Sequence, residues 1–398
     1  MQFSLTKQKV LSFFVMGAFF VVVLILTRQV PLKGLSFLMN LALLAFFGMQ
    51  IINIIQINDR SRLVFLILFV GWCCLLFAYS AIVGNSIGNI FRFMTILVLI
   101  QAAFFIKPES FYIKVFLGFL LVQAFFLIGL HLVLNLFFNL TSYLALRMFF
   151  QAQGWGDLYT YNGIFFNIQI LGNALLPFGV FVSLIYFSGF RRLLITGILV
   201  LGMLVAGNFA FVLGLIVFLF LVFLNTNQFK TKKFLTLSIV GLFAIVFAAK
   251  PAIEYLDNTI SKKSQESNPT RLDQSIVLWT DLKESPLSLV FGQGLGNTLE
   301  VKTKWRDYTD NIYFELQSLY FLNQMGLFNF LIFVICNVLC VILYFRQPIV
   351  KIIYVSYILY ALFNPYFLDT SHIVVIIILS SLNQVLEKRE SQLVPNGV

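Results

Sequence analysis

The chain has 398 residues, of which 60% are hydrophobic and only 11% are charged. Its mean hydropathy is +0.94, whereas soluble domains carry roughly 25% charged residues. These values exclude an ordinary soluble protein and predict a single integral membrane domain over residues 1–398. The net charge of +11 does not indicate a nucleic-acid partner, because much of it lies in short connections, where positive charge sets membrane orientation.

Long apolar runs follow one another along the chain, most of them close to the ~20 residues that cross a bilayer as a helix. They predict an all-α fold, a polytopic membrane helix bundle of about 12 transmembrane helices. The predicted helices are residues 10–27, 35–55, 63–83, 87–106, 111–138, 163–188, 193–207, 209–225, 234–249, 316–344, 349–367 and 371–385.

Lysine and arginine predict which side each connection faces. With the N-terminus inside, the inner connections receive Lys7, Lys9, Arg60, Arg62, Lys107, Arg191, Arg192, Lys230, Lys232, Lys233, Arg346, Lys351, Lys388 and Arg389. The short outer connections receive Arg28 and Lys33, and Arg92 and Arg147 lie at or near the outer boundaries. This is the positive-inside pattern. It predicts a smaller outer loop at 139–162 and one large extracytoplasmic loop at 250–315.

The large outer loop has its own predicted structure. Asn268 and Pro269 are typical of a helix start, as N-cap and first helical residue. An apolar stripe then predicts an amphipathic helix that lies on the membrane surface, formed by Leu272, Ile276, Trp279 and Leu282.

Three alternate glycines follow this helix, at Gly292, Gly294 and Gly296. Glycine permits a tight turn that exposes the backbone. The dinucleotide fingerprint needs a further glycine where Asn297 stands, so nucleotide binding is rejected. Two interpretations remain, a flexible turn or a backbone nest that receives an anion.

Basic residues on the outer side are candidates for an anion site. Arg271 lies in the first turn of the predicted helix, where a guanidinium and a helix N-terminus both favour an anion. Arg92 lies close to an apolar run, where an unpaired charge is costly. For most outer lysines, a solvated surface or one facing lipid headgroups is the alternative interpretation.

Outer acids are few, and no cluster of hard oxygen ligands is present. We therefore expect no metal site and no cofactor. Asp310 and Glu315 lie just before the helix predicted at 316, and an acid there also complements a helix dipole. His131 is interpreted as a buried donor, and His372 with Asp369 is a candidate acid–histidine pair.

Taken in order over residues 140–385, four stretches resemble the O-antigen polymerase and ligase superfamily, which contains Wzy-type polymerases and WaaL-type ligases. The stretches are 163–167 with Gly172-Asn173-Ala174, then Arg271, Trp279, Pro286 and 292–296, then Glu315-Leu316-Gln317 with 324–327, and finally Asn364-Pro365. Ligases of this superfamily usually carry a histidine where the large loop returns to the membrane. Here Glu315 or Asp310 occupies that region, which favours a polymerase.

The resemblance implies polymerisation of polyprenyl-diphosphate-linked oligosaccharide repeat units into O-antigen, capsule or exopolysaccharide. The reaction would occur at the outer face of the bacterial cytoplasmic membrane. Membrane lipids, a chain-length regulator and a flippase are implied partners. The implied site has Glu315 as the proton acceptor with Asp310 as its rival, and the diphosphate-binding arginines Arg271, Arg92, Arg147 and Arg306.

Two other activities are alternatives to polymerisation. One is ligase-type glycan transfer, and the other is a flippase or carrier for lipid-linked oligosaccharides. A carrier needs polar residues deep in several helices, and this chain has few. A metal-dependent membrane glycosyltransferase is weakened because the first outer connection, 28–34, contains no acid.

The charge distribution makes a direct prediction about the C-terminus. Both termini lie in the cytoplasm if the span count is even and the basic connections stay inside. A reporter that is active only outside the cytoplasm should be silent when it is fused after Val398. The same reporter placed in the large outer loop should be active, and activity at both positions would contradict the span count.

Overall fold

The structure is a computed structural model that describes residues 2–27, 35–56, 60–160, 165–170, 172–225, 270–302, 307–312, 314–362 and 364–393. The predicted helix 234–249, the helix start at Asn268 and Pro269, and Arg306 lie outside the described residues.

The described residues between 2 and 225 form nine α-helices and one two-stranded hairpin. The helices are α1 (Gln2–Leu26), α2 (Leu35–Gln56), α3 (Arg60–Ile82), α4 (Ile87–Ala103), α5 (Ser110–Phe137), α6 (Tyr143–Ala152), α7 (Leu176–Tyr186), α8 (Gly189–Val205) and α9 (Phe209–Asn225). Strands β1 (Gly156–Tyr159) and β2 (Asn167–Ile170) pair antiparallel between α6 and α7, with Asp157 opposite Gln169.

The later part of the chain begins with the described part of the segment predicted to be the large outer loop. It contains α10 (270–282), α11 (Pro286–Phe291), α12 (Gln317–Tyr344), α13 (Pro348–Leu362) and α14 (Thr370–Leu393).

The chain is a helical bundle with membrane-spanning character. Among the described residues, the helices long and apolar enough to cross a membrane are Leu63–Ile82, Ser110–Phe137, Gln317–Tyr344 and Thr370–Gln392. Shorter apolar helices are Val10–Leu26, Phe37–Ile51, Ile87–Ala103, Asn173–Tyr186, Phe209–Asn225 and Pro348–Leu362. The total of about 12 spans stays a prediction.

Two predicted helices are interrupted or end early in the structure, whereas the predicted runs 10–27 and 371–385 are, apart from Thr27, parts of the longer helices α1 and α14. The run 163–188 contains β2 and a 3-10 turn before α7 begins, because Gly172 adopts a φ of 97° and reverses the chain. The run 349–367 ends earlier, at Leu362. Pro365 disfavours helical backbone at the preceding Asn364, so a turn separates α13 from α14.

Helix α14 is the centre of the bundle. Its residues 373–379 are all apolar and no more than 1% exposed. A helix that is apolar on every side is stable only when it is surrounded by protein or lipid. Helices α4, α5 and α13 pack against it, while α1 packs on α2 and α5.

Two of the turns that carry predicted inner basic residues, those before α8 and α13, contact the end of α14. Arg389 of α14 donates to the carbonyl of Tyr186, before α8, over 3.0 Å. The amide of Gln347, before α13, donates to Asn383 of α14 over 3.0 Å. The large outer loop instead contacts the α3–α4 turn through Asn85. The two predicted sides are therefore separated in the fold.

Helix α12 is broken at Gly326, whose φ and ψ are 67° and 174°. Gly292 lies directly against this break, and a Cβ on either glycine would overlap the backbone of the other segment. The two amides after Gly292 donate to the carbonyls of Asn323 and Gln324, each over 2.9 Å. The loop therefore satisfies carbonyls that the broken helix leaves free.

This contact predicts that Gly292→Ala destabilises the protein. The left-handed backbone alone costs a non-glycine residue about 1–3 kcal/mol, and overlap with Gln324 adds to it. Gly118→Ala is the matched control, since no atom lies within 4 Å of a Cβ there. Thermal unfolding of the purified protein in detergent measures both variants. Equal midpoints for Gly292→Ala and the wild type would contradict the prediction.

Candidate functional site

The alternate glycines serve to anchor the loop. Gly292, Gly294 and Gly296 all adopt positive φ, at 84°, 82° and 79°. Their amides donate to the Ser288 carbonyl over 2.8 Å, to the Gln324 carbonyl over 2.9 Å and to the Gln324 side chain over 2.9 Å. Because these N–H groups are bonded within the protein, they do not form an open anion nest, and the loop is a fixed turn.

Helix α10 presents most of its predicted apolar stripe away from the protein. Leu272, Ile276 and Trp279 are 60%, 55% and 41% exposed, whereas Leu282 is fully buried. Gln274 is also buried, on the side of α10 that packs against the bundle. This arrangement fits a helix at a lipid surface, with Leu282 corrected to the protein-facing side.

Two predicted site residues meet where the large loop returns to α12. The Arg271 Nε lies 3.4 Å from Glu315 Oε2. The Tyr308 hydroxyl lies 3.3 Å from the other carboxylate oxygen. Asp310, the predicted rival of Glu315, is exposed in a turn with a φ of 56°. The proton-acceptor role of Glu315 stays a prediction, and in this structure Glu315 holds Arg271.

Arg147 forms an ion pair with a different carboxylate, that of Asp157. Its Nε and Nη2 lie 2.8 and 3.0 Å from the two oxygens of Asp157, a forked pair. Its guanidinium also lies 5.0 Å from the centre of the Tyr159 ring. These contacts fasten α6 to β1, so a diphosphate would have to compete with Asp157. The sequence reasoning missed Asp157, although it is the lone acid of the smaller outer loop.

A large cavity, here called the outer cavity, lies at the end of the bundle where the predicted outer loops meet. Its volume is about 890 Å³. The ends of α1, α2 and α4, the hairpin, the start of α12 and the turn before α14 all contribute walls. The polar part of its lining includes Arg92, Asp157, Tyr159, Gln317, Tyr366 and Asp369.

The outer cavity also reaches the apolar surface of the bundle. Leu44 of α2 and Phe91 of α4 belong to its lining, and their side chains are 51% and 63% exposed. Exposed apolar side chains of this kind cover the outside of a bundle in lipid. The cavity therefore extends from a surface that lipid can contact to a charged interior.

Arg92 lies on the lining of the outer cavity and has no ion-pair partner in the described chain. Its side chain makes no hydrogen bond or ion pair with the described part of the chain. Gln317 lies on the same lining and is only 8% exposed. Its amide oxygen has no hydrogen-bond partner among the described residues. The lining thus offers a cation without a hydrogen bond or ion pair to the described chain, and an acceptor without a donor there.

Asp369 is the carboxylate at the turn before α14. It accepts hydrogen bonds from the amide of Thr370 over 2.7 Å and from the hydroxyl of Ser371 over 3.1 Å. Burial raises the pKa of Asp369, while these bonds and the charge of Arg92 act in the opposite direction without cancelling the rise. Asp369 therefore holds its proton more tightly than an aspartate in water.

Both histidines have structural contacts. The ring of His372 bonds the Tyr354 hydroxyl over 3.1 Å and the Phe367 carbonyl over 2.8 Å. Its ring is directed to these partners, so the candidate pair of His372 with Asp369 does not form. His131 bonds the Phe166 carbonyl over 2.8 Å, which joins α5 to the hairpin.

Within the described ranges, no three histidine, cysteine, aspartate or glutamate residues come together as a possible metal site. No protein-family model matches the chain, and no curated protein or solved structure matches it either. Function is therefore inferred from the residues of the site.

The ion pair of Arg147 with Asp157 leads to a stability prediction. Arg147→Ala leaves the Asp157 carboxylate, only 11% exposed, without its forked partner. We expect a loss of about 1–3 kcal/mol. Arg346→Ala is the control, because that arginine is 82% exposed and lies 3.9 Å from Glu387. An exposed pair of this kind contributes at most about 1 kcal/mol. Thermal unfolding compares the two, and equal losses would contradict the structural role of Arg147.

Proposed function

We propose that this protein is a membrane polysaccharide polymerase. It joins polyprenyl-diphosphate-linked oligosaccharide repeat units into a surface polysaccharide by metal-independent glycosyl transfer. The reaction takes place at the outer face of the bacterial cytoplasmic membrane. The observation that carries the proposal is the outer cavity, where Arg92, without an ion-pair partner in the described chain, lies beside an apolar opening.

The lining of the outer cavity suits a lipid-linked saccharide. Leu44 and Phe91 offer apolar contact for a lipid chain at the bundle surface. Arg92 can bind a diphosphate through a charge-assisted fork. Tyr366 and Gln317 supply a ring and an amide for sugar hydroxyls. The volume of about 890 Å³ lies in the upper part of the roughly 300–1,000 Å³ range of ligand pockets.

The proposed chemistry needs a fixed cation. The acceptor hydroxyl oxygen bonds to the anomeric carbon of the donor, while the bond from that carbon to the diphosphate oxygen breaks. The electron pair stays on the diphosphate, so negative charge grows there in the transition state. A preorganised guanidinium stabilises that charge. A carboxylate takes the proton of the attacking hydroxyl, and the resemblance assigns this step to Glu315.

Two substrates require two cationic positions, because donor and acceptor each carry a diphosphate. Arg271 is the second candidate. Its side chain is 35% exposed, and its contact with Glu315, the one ion pair it makes with the described chain, is 3.4 Å long, which allows exchange for a phosphate. It also lies at the start of α10, whose exposed apolar stripe fits a membrane surface.

The geometry supports transfer at one face over transport by a carrier. A carrier needs a polar route through the bundle. The residues that line the outer cavity come from the end where the outer loops gather. The centre of the bundle contains the apolar segment 373–379 of α14, which is buried. Ligase-type transfer remains the alternative that uses the same chemistry.

The proposal predicts that Arg92 is required for polymer formation. Arg92→Ala should lower the rate by about 10²–10³-fold, the usual cost of losing one donor to a developing anion. Arg271→Lys should also lose most activity, because lysine cannot make a forked contact. The measurement is the chain-length ladder of saccharides in source cells that lack the chromosomal gene and express each variant.

The control for this experiment is Arg191→Ala, which changes an exposed arginine at the opposite end of the bundle. Protein levels must be equal in all strains. A normal ladder from Arg92→Ala would refute the proposed site, and a full ladder without any protein would refute the proposed function.

A further inference from the structure

We infer that Asp369 takes the proton from the attacking sugar hydroxyl, which makes Asp369 a catalytic residue of the outer cavity. The inference rests on the proposed function and deepens it. It assigns the proton transfer to a different residue from Glu315, the candidate that the resemblance indicates.

Position is the first argument. Asp369 and Arg92 both line the outer cavity, and the Arg92 charge acts on the Asp369 carboxylate. Glu315 is not part of the described lining, and it contacts Arg271 and Tyr308 instead. A general base must come within hydrogen-bond reach of the proton that it removes. A substrate whose diphosphate is held by Arg92 therefore lies in the cavity that Asp369 lines, and Glu315 is not among the described residues of that lining.

The bonds of Asp369 leave it able to accept a proton. Thr370 donates to one carboxylate oxygen and Ser371 to the other. The backbone amide of Ser371 also bonds this carboxylate. A carboxylate offers about four acceptor sites, so one site remains for the substrate proton. The three bonds also fix the orientation of the carboxylate. A base held in this way by its neighbours needs little rearrangement when the substrate arrives.

The pKa of Asp369 also supports its role as the general base. A general base is most effective when its pKa lies near the working pH. Burial raises the pKa of Asp369 toward that range. The positive charge of Arg92 limits the rise, which favours the ionised form that the reaction requires.

The unused acceptor of Gln317 fits a hydroxyl ligand on the same lining. A buried acceptor without a partner costs about 1–3 kcal/mol. Gln317 is 8% exposed, and its amide oxygen has no partner in the described part of the chain. A neighbouring hydroxyl of the bound sugar would donate to this oxygen while the attacking hydroxyl faces Asp369.

The step balances without a further reactant. The hydroxyl oxygen forms its bond to the anomeric carbon, and its proton moves to a carboxylate oxygen of Asp369. The bond between the anomeric carbon and the diphosphate breaks, and the diphosphate leaves with the electron pair beside Arg92. Asp369 then releases the proton to water in the cavity.

The alternative is that Asp369 only caps α14. Asparagine caps a helix as well as aspartate does, but its amide cannot take a proton. Asp369→Asn therefore separates the two roles. A cap alone predicts full activity for this variant, and a base predicts its loss with unchanged thermal stability.

The experiment uses the purified full-length protein in liposomes. The substrate is the lipid-linked saccharide fraction extracted from source cells that lack the gene. We expect Asp369→Asn to elongate these lipids about 10²–10⁴-fold more slowly than the wild type, the usual contribution of a general base. Glu300→Gln, which changes an exposed acid of the large loop, is the control.

Chemical rescue tests the assignment directly. Asp369→Ser keeps a capping oxygen and leaves space beside it, since serine caps about as well as aspartate. Added formate should then supply a carboxylate and restore elongation. The same addition should not restore Glu315→Ala, because the structural partner of Glu315 is Arg271.

The outcomes separate this inference from the proposed function. Wild-type elongation rates in Asp369→Asn, or rescue by formate of Glu315→Ala but not of Asp369→Ser, would overturn the role of Asp369 and leave the polymerase proposal standing. Failure of the wild-type protein to elongate the extracted lipids would overturn the polymerase proposal, and the inference with it.

Discussion

The contact between Gly292 and the break in α12 at Gly326 is the constraint on which the outer half of the molecule depends. A helix in lipid must satisfy its own backbone groups, because no water is available to do so. The break frees the carbonyls of Asn323 and Gln324, and the loop amides that follow Gly292 bond to both. A side chain on either glycine would prevent this approach.

Because the loop is held at this point, the other outer elements have defined positions. Asn85 of the α3–α4 turn donates to the Gln293 carbonyl over 2.8 Å, and the Leu295 amide donates to Ser80 over 2.7 Å. These bonds join the loop to the end of α3 and to the turn that precedes α4, the helix that carries Arg92. The chain then returns to the start of α12, where Gln317 reaches the outer cavity.

The predicted outer arginines differ in whether they form an ion pair with the described chain. Arg147 is satisfied by the forked contact with Asp157, and Arg271 shares a longer contact with Glu315. Such pairs hold loops in place. Arg92 has no ion-pair partner in the described chain, although an unpaired charge close to lipid is costly. An anionic ligand bound beside Arg92 would offset this free-energy cost.

The sequence by itself determined the class of the protein and much of its helical framework. The predicted run 209–225 coincides with α9, and the runs that begin α4, α5 and α12 start within one residue of the observed helices. These features are local, since the length of an apolar run reports directly on a span in lipid. The sequence also shows which connections are basic, and the fold brings several of those connections to one end of the bundle.

Only the tertiary structure decided which polar residues share a site. Arg92, Asp157, Gln317 and Asp369 are far apart in sequence and line one cavity because four segments meet at one end of the bundle. Residues that are close in sequence can also have different side-chain partners, as Asp369 and His372 show. The Asp369 carboxylate bonds the first turn of α14, whereas the His372 ring bonds Tyr354 on another helix. Side-chain partners depend on helix packing and backbone breaks, which a pattern of residue types along the chain does not specify.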